Sequence, residues 1–552
     1  MNSEARTCKN CSQSFTIEPD DASFYASIKV PEPTWCPDCR SQRRMAIRNE
    51  STLYKRPCSL CGASIVSMYH QQVPFPVYCQ KCWWSDKWDP TNYGRNFDFG
   101  RPFFEQFKEL RNSVPAVALV NNPAQNVNSD YCNYALQNKN CYLIFGSHYN
   151  ENSGNSWYIV RNRDCFDSLF GSENELVYEG NFGDKVYNSA FVEYVFDSRD
   201  CYFSYDLRGC QNCFFSYNLR GKSYYIFNEP YTKEEYFKKI AEFDLGSYAG
   251  MEELKKKFQE TKLKAIRRYS YQKNCTYCNG DDLTEGKNIR HGFRGVQSED
   301  VAYASLFTAV FNSMDLNNIG YDKSEFIYEC VSCTALSNSK FGQALWQSHD
   351  IEYGNYNFSS GNCFGCVSIK HKEYCIFNKQ YTKEAYETLR TKIVDYMKST
   401  GEYGEFFPIS FSPFGYNESI APDIYPLSKD EALAKGFNWR DPDAREFQPQ
   451  TYNLPDHIKD IGDDVLQATL ACVTCKKNFR IANIELGFHR RTKIALPRRC
   501  FKCRHETRMK NRNPLHLWER QCAKCGTNVQ TTYNPDRPEI VYCESCYQQE
   551  VV

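Results

Sequence analysis

No run of eighteen or more apolar residues occurs anywhere in this 552-residue sequence, so no helix spanning a bilayer, and no membrane partner, is expected. Its opening stretch, MNSEARTCKNCSQSF, lacks an apolar segment of the signal-peptide kind, so the expected location is cytoplasmic. Net charge is missing too: 67 Lys and Arg balance 67 Asp and Glu. There is no Gly-rich phosphate loop, no HExxH and no GxSxG elbow, which removes the common local signatures of nucleotide, metalloprotease and hydrolase chemistry. What is abundant is cysteine, at 29 residues. In a reducing compartment so many thiols read as metal ligands or small buried groups, not as disulfides.

Sixteen of the cysteines form eight Cys-x-x-Cys pairs that group into four sets. These are Cys8, Cys11, Cys36 and Cys39; Cys58, Cys61, Cys79 and Cys82; Cys472, Cys475, Cys500 and Cys503; and Cys522, Cys525, Cys543 and Cys546. Each pair turns two thiolates toward one ion, and a second pair further on completes a tetrahedron that suits Zn(II). Four protein ligands leave no position for water or substrate, so four structural zinc sites are expected, with rubredoxin-like iron as the alternative.

The two ends repeat each other. Adding 464 to every ligand number of the first two sets gives the last two sets without a gap. The correspondence extends to Phe15 with Phe479, Phe24 with Phe488, Pro33 with Pro497, Asn49 with Asn513 and Arg56 with Arg520. A two-zinc module is therefore read as internally duplicated. Its first ribbon, CKNCSQSFTI followed by SFYASIKVPEPTWCPDCRSQRR, resembles the small treble-clef or zinc-ribbon family described as probable zinc-binding domains. That resemblance covers about 40 residues at each end. The whole layout is also similar to large bacterial proteins with such ribbons at both ends of a Cys- and Tyr-rich middle; this implies a shared fold and no particular activity.

Between the ends, a phrase of small polar residue, Cys or apolar residue, then aromatic keeps returning, as in NKNCYLIF, NRDCFDSLF and SRDCYFSY. Its alignment gives steps of 21 to 24 residues, with short alternating strands and Asn, Asp or Gly at bends. Such a repeat suggests stacked coils of a right-handed parallel β-solenoid. KSYYIFNEPYTKEEY recurs 150 residues later as KEYCIFNKQYTKEAY, so two solenoid halves are expected, each closed by a helix. Thr232 with Glu235 forms a capping box for the first closing helix, and Thr382 caps the second. Cysteines in the repeat read as a structural ladder. Cys275 and Cys278, least tied to the repeat, are the candidates for a fifth zinc site.

The expected fold is thus mainly β with small zinc modules. Terminal treble-clef and zinc-ribbon pairs flank two duplicated parallel β-solenoid halves with capping helices. The segments are zinc ribbons at 1–57 and 58–95, an aromatic linker and helix at 96–128, solenoid halves at 129–230 and 273–380 about a helical connector at 231–272, a helix and extended linker at 381–471, and zinc ribbons at 472–521 and 522–552. Across the junction of the second ribbon and this linker, the dense aromatics Trp83, Trp84, Trp88, Phe103, Phe104 and Phe107 read as core in preference to base-stacking platforms, and Pro102 marks a helix start.

In a treble clef the last Cys pair opens a helix. That helix would carry Arg40, Arg43, Arg44 and Arg48 in one copy and Arg504, Arg508 and Arg512 in the other. Spacing of four aligns three charges on one stripe, and a guanidinium fork suits phosphate oxygens. Residues 472–552 hold 16 Lys and Arg against 7 Asp and Glu, whereas residues 130–236 hold 9 against 15. Three destinies follow for the stripe: contact with an RNA or DNA backbone, internal pairing with the acidic middle or the zinc thiolates, or binding of an acidic protein or polymer. The favoured expectation is a non-enzymatic zinc-binding scaffold contacting nucleic-acid phosphates. The alternative is a scaffold that binds a protein on its solenoid face. Solenoid carboxylates such as Asp164 with Asp167, or Asp197 with Asp200, give a weaker, carbohydrate-cleaving reading, since acidic residues at bends are usually solvated turn formers.

Overall fold

The computed structural model describes residues 3–122, 124–319, 322–441 and 447–552. The chain forms two compact units, Met1–Val120 with Ser270–Asp441, and Asn121–Tyr269 with Pro442–Val552. The N-terminal Cys modules therefore fold with the second strand-rich segment, and the C-terminal modules with the first. Among the described residues no helix is long and apolar enough to cross a membrane.

In the second unit, strands from Tyr142–Phe145 to Ser223–Ile226 pair in parallel, and the register advances by twelve residues. Cys165 lies opposite Val177, Val177 opposite Ser189, and Cys201 opposite Cys213. This corrects the 21- to 24-residue step read from the phrases, because each phrase recurs only at every second pass. From Asn152 to Asp206 every third residue is left-handed, with φ between 44° and 57°. Asn and Asp, which tolerate that conformation, fill eight of these nineteen bends; aromatic and other residues fill the rest. Four bends fit each twelve-residue pass, and one residue per bend points inward.

That inward slot explains the composition. Ser153 accepts the N–H of Cys165 at 3.1 Å and donates to the Glu151 carbonyl at 2.9 Å. Asn138, Asn150 and Asn162 form a ladder, each side-chain oxygen accepting the next asparagine's N–H at 2.9 to 3.0 Å. A bend strips the backbone of its strand partners, and a short polar side chain replaces them without filling the narrow interior. Cysteine takes the same position: Cys165 is buried and its Sγ lies 3.3 Å from the Arg163 carbonyl. Burial pushes that thiol up to about 12, so it stays protonated.

The first unit has the same construction from Gly280–Arg290 to Glu373–Ile376. Gly292 lies opposite Gly280, and Cys375 opposite Cys363. One pass is longer by two residues, Phe311 lying opposite Glu325. Where Phe307 enters the interior, Gly295 must lack a side chain, since a Cβ there would sit 2.2 Å from the ring. Each strand series ends in an antiparallel return, Tyr225 with Pro230 and Cys375 with Gln380. The helices Lys233–Ile240 and Lys383–Ser399 follow, N-capped by Thr232 and Thr382 as expected. The helix Phe103–Ser113 starts after Pro102, and Phe103 and Phe107 are buried in the first unit's core.

Candidate metal centres and their arginine clamps

Each Cys module opens with a hairpin whose tight turn carries the first pair of thiols. In the first module the strands Glu4–Thr7 and Ser14–Ile17 hold Cys8 and Cys11, and the helix Pro37–Ala46 begins directly after its N-cap, Cys36. In the third, Cys500 caps the helix Phe501–Lys510 in the same way. Cys79 and Cys543 cap the helices of the second and fourth modules. All sixteen expected ligands are thereby gathered into four sets, with the sulfurs of each set within 4.8 Å of one another.

The donor set fits zinc quantitatively. Zn–S bonds of about 2.3 Å in a tetrahedron require sulfurs about 3.8 Å apart. Cys11 and Cys36 are 3.8 Å apart, Cys475 and Cys500 3.7 Å, and Cys525 and Cys543 3.6 Å. Backbone donors prepare the thiolates: the Cys36 N–H points at Cys8 Sγ and the Cys79 N–H at Cys58 Sγ, both at 3.2 Å. Burial alone would raise Cys8 and Cys472; the backbone N–H groups around them outweigh it and bring them down to about 7 and about 6. Zinc held here would order the two helices. With all four ligands protein thiolates, each centre is structural in kind. Among the described residues, no third Cys, His, Asp or Glu joins Cys275 and Cys278 to make a fifth centre. Their thiols turn to the carbonyls of Lys273 and Thr276, each at 3.4 Å.

The arginines after the second Cys pair face inward. Arg40, Arg43, Arg44 and Arg48 are all buried. Arg40 lies 2.8 Å from Asp315, Arg43 2.8 Å from Glu329, and Arg44 bridges both acids at 3.3 and 3.2 Å. Arg48 pairs with Glu50 at 2.6 Å. In the second unit, Arg504 pairs with Asp167 and, at 2.9 Å, with Glu485, while Arg508 lies 2.6 Å from Asp167. Arg512 is half-buried.

The stripe expected to grip phosphate is therefore committed to carboxylates, and the phosphate-contact assignment of the buried residues Arg40, Arg43, Arg44, Arg48, Arg504 and Arg508 is corrected on that ground. Internal charge pairing, also read from the sequence, is what the geometry supplies. The first Arg of each helix pairs with an Asp and not with a thiolate: Arg40 with Asp315 and Arg504 with Asp167. Burial alone would raise Asp167, but the guanidiniums of Arg504 and Arg508 hold it below the usual carboxylate range.

Sequence patterning does not single out these carboxylates, although a signal for them exists. Asp167 and Asp315 both sit at left-handed bends and lie 148 residues apart, as Arg40 and Arg504 lie 464 apart. An acid kept at one bend in both series marks a shared partner. The carboxylate pairs considered for catalysis are dispersed among other partners: Asp167 is in the clamp, Asp164 pairs with Arg491 at 2.7 Å, and Asp200 accepts from Asn188 at 2.6 Å.

Among solved structures, a chain described as "putative acetyltransferase from Desulfovibrio desulfuricans G20" aligns at 11% identity with a TM-score of 0.10, over 43% of this chain and 60% of that one. No curated protein matches. Residues 4–48, which contain the first Cys set and the first arginine-bearing helix, match the family described as a probable treble clef domain.

Proposed function

We propose that the chain is an internally duplicated, non-enzymatic zinc scaffold of the reducing cytoplasm, built on two parallel β-solenoid halves, that contacts the phosphate backbone of RNA or DNA through its third zinc module. The contact uses surface cations in place of the buried stripe. One observation carries this reading. Between residues 472 and 512, Lys476, Lys477, Arg480, Lys493, Lys502 and Lys510 are exposed, as are Arg490 and Arg491, and Glu506 is the one exposed carboxylate among these described residues.

Arg490 and Arg491 are paired with Asp463 and Asp164. The other six stand against Glu506 as the one exposed acid among the described residues of that module. Of these six, the N-terminal copy keeps only Lys29, at the place of Lys493; Ser12, Gln13, Thr16, Asp38 and Ala46 occupy the rest. Duplication thus supports a division of labour, with both copies retaining the clamp and one acquiring a polyanion surface. Dense exposed cations release counterions on binding phosphate, which makes affinity steeply dependent on salt.

The test is binding of generic single- and double-stranded RNA and DNA over a salt series. Wild type is compared with a variant carrying Lys476, Lys477, Lys502 and Lys510 changed to Ala. Each lost contact on duplex DNA should lower the slope of log affinity against log salt by about 0.9. Absence of binding at low salt, or an unchanged slope in the variant, defeats the reading. The rival is a protein partner on the exposed ladder where Lys139 pairs with Glu151 and Arg163 with Glu175. Capture of a protein that is lost when Lys139 and Arg163 are reversed in sign, without nucleic-acid binding, would favour it.

A further inference from the structure

The first unit's strand series begins with a pass that carries two thiols. Gln272 lies opposite Leu283 and Thr276 opposite Lys287, and no described strand pairs with the other side of Gln272–Lys273. Left-handed bends at Asn274 and Tyr277 set Cys275 and Cys278 in successive inward slots, as the bend at Asp164 sets Cys165. Because nothing is stacked beyond this pass, the slots open to water: Tyr277 is 84% exposed and both cysteines are half-buried. The other eleven cysteines of the two strand series are buried, including three pairs with the same spacing, Cys210 with Cys213, Cys330 with Cys333 and Cys363 with Cys366.

The two sulfurs gather over one glycine. A Cβ on Gly286 would sit 3.4 Å from Cys275 Sγ and 3.3 Å from Cys278 Sγ. Burial, and then the adjoining Cys275 thiol, push the Cys278 thiol up against the opposing backbone hydrogen bond from Ile289. The slots themselves do not call for thiols. In the second unit Val127 lies opposite Lys139 as Thr276 does opposite Lys287, so Asn126 and Ser129 stand at the places of Cys275 and Cys278. There Asn126 accepts the Asn138 N–H at 2.9 Å and donates to the Ala135 carbonyl at 2.8 Å. Ser129 accepts the Cys141 N–H at 3.1 Å and donates to the Val127 carbonyl at 2.9 Å. Amide and hydroxyl thus complete the first pass of one series, while the other has two accessible sulfurs in the same positions.

We propose that Cys275 and Cys278 bind one Cu(I) ion between two thiolates. Soft thiolate ligands select Cu(I), and that ion is satisfied by two of them in line. Zn(II) takes four ligands, and among the described residues no third Cys, His, Asp or Glu joins this pair. On binding, each thiol gives its proton to solvent and its sulfur bonds to copper, with no change of oxidation state. The open end of the strand series is the entry path, which the three buried pairs lack. The site is separate from the four Cys sets and from the lysine surface proposed for nucleic acid, so each can fail alone.

Anaerobic titration of the zinc-loaded full chain with Cu(I), buffered by a chromophoric Cu(I) chelator, tests the proposal. The first equivalent should bind while all four zinc ions stay in place, and X-ray absorption should find that copper with two sulfur neighbours. Cys275→Ser and Cys278→Ser each install a hydroxyl of the kind that Ser129 supplies in the second unit. Each should weaken the copper at least about a hundredfold, since one of two tethered ligands is lost. Absence of binding, zinc displaced by the first equivalent, three or four sulfur neighbours, or unchanged affinity in either zinc-retaining variant overturns the proposal. If a variant loses zinc, the sulfur count around the wild-type copper decides.

Discussion

Arg508 Nη1 lies 2.6 Å from Asp167 Oδ1, with the arginine 3% exposed and the aspartate fully buried. The pair joins a helix that zinc would order to a bend of the strand series, and Arg504 holds the same carboxylate from the preceding turn. Two guanidiniums against Asp167, with Glu485 as the second acid, balance the charge of the clamp itself.

Removing the shared carboxylate should therefore be far worse than removing a surface charge. Asp167→Asn leaves two guanidiniums sharing one remaining acid, and breaking a buried pair costs about 3 to 5 kcal/mol. Asp315→Asn should act alike in the first unit, although Glu329 still pairs with Arg43 and Arg44 there. Lys139→Ala, which breaks an exposed pair with Glu151, should cost less than about 1 kcal/mol. Denaturant midpoints compare the three. Similar costs for Asp167→Asn and Lys139→Ala would mean that the clamp is not a stabilising element.

Metal removal should act through the same contacts. The helices Pro37–Ala46 and Phe501–Lys510 begin on the ligands Cys36 and Cys500 and carry the clamp arginines. Elemental analysis should find four zinc ions per chain, and Cys500→Ser should leave three. A strong chelator should expose the Phe501–Lys510 helix to protease while the strands from Tyr142 to Ile226 stay protected. Retained protection of that helix after complete zinc loss would show that packing alone suffices to hold it.

The inward slot makes a chemical prediction. Ser153→Ala deprives the Cys165 N–H of its acceptor and should cost about 1 to 3 kcal/mol. Ser153→Cys should cost much less, because Cys165 in the same slot accepts the Val177 N–H and lies against the Arg163 carbonyl. Equal losses from the two variants would mean that space, not hydrogen bonding, selects the residue.

Those slots also mark the limit of what the sequence makes legible. The sixteen ligands are readable because a Cys-x-x-Cys turn is local and its spacing is dictated by one ion. The caps at Thr232 and Thr382 are readable for the same reason, each lying at the first turn of its own helix. The twelve-residue pass is not, since Ser153, Cys165 and Val177 all satisfy one slot, and the ladder of Asn138, Asn150 and Asn162, constant in type, is lost among many other asparagines. Only the Cys and aromatic phrase stands out, and it returns at alternate passes. The stripe of Arg504 and Arg508 is legible as a face of a helix, but its partner Asp167 lies 337 residues away from Arg504. Periodicity identifies a common face; whether water or a carboxylate covers it is decided by long-range packing.

His489 supplies a test of that packing by pH. It stands against the ring of Tyr178, with the ring centroids 4.9 Å apart. Burial and then the Arg504 guanidinium push it down to about 4, against the opposing pull of Asp167 and the Ile494 carbonyl. In the unfolded chain it titrates near 6.5. Between those values the unfolded state holds a proton that the folded state refuses, so stability rises with pH and falls as pH drops from about 6.5 toward 4. At the position 464 residues earlier stands Tyr25, a residue without that proton uptake. His489→Tyr should therefore gain on wild type as pH is lowered from 7 to 5, by up to about 1.4 kcal/mol for each pH unit crossed below 6.5. Zinc release affects both proteins and cancels in the difference. Denaturant midpoints across that range, with a difference that does not change with pH, would place His489 outside the buried clamp environment.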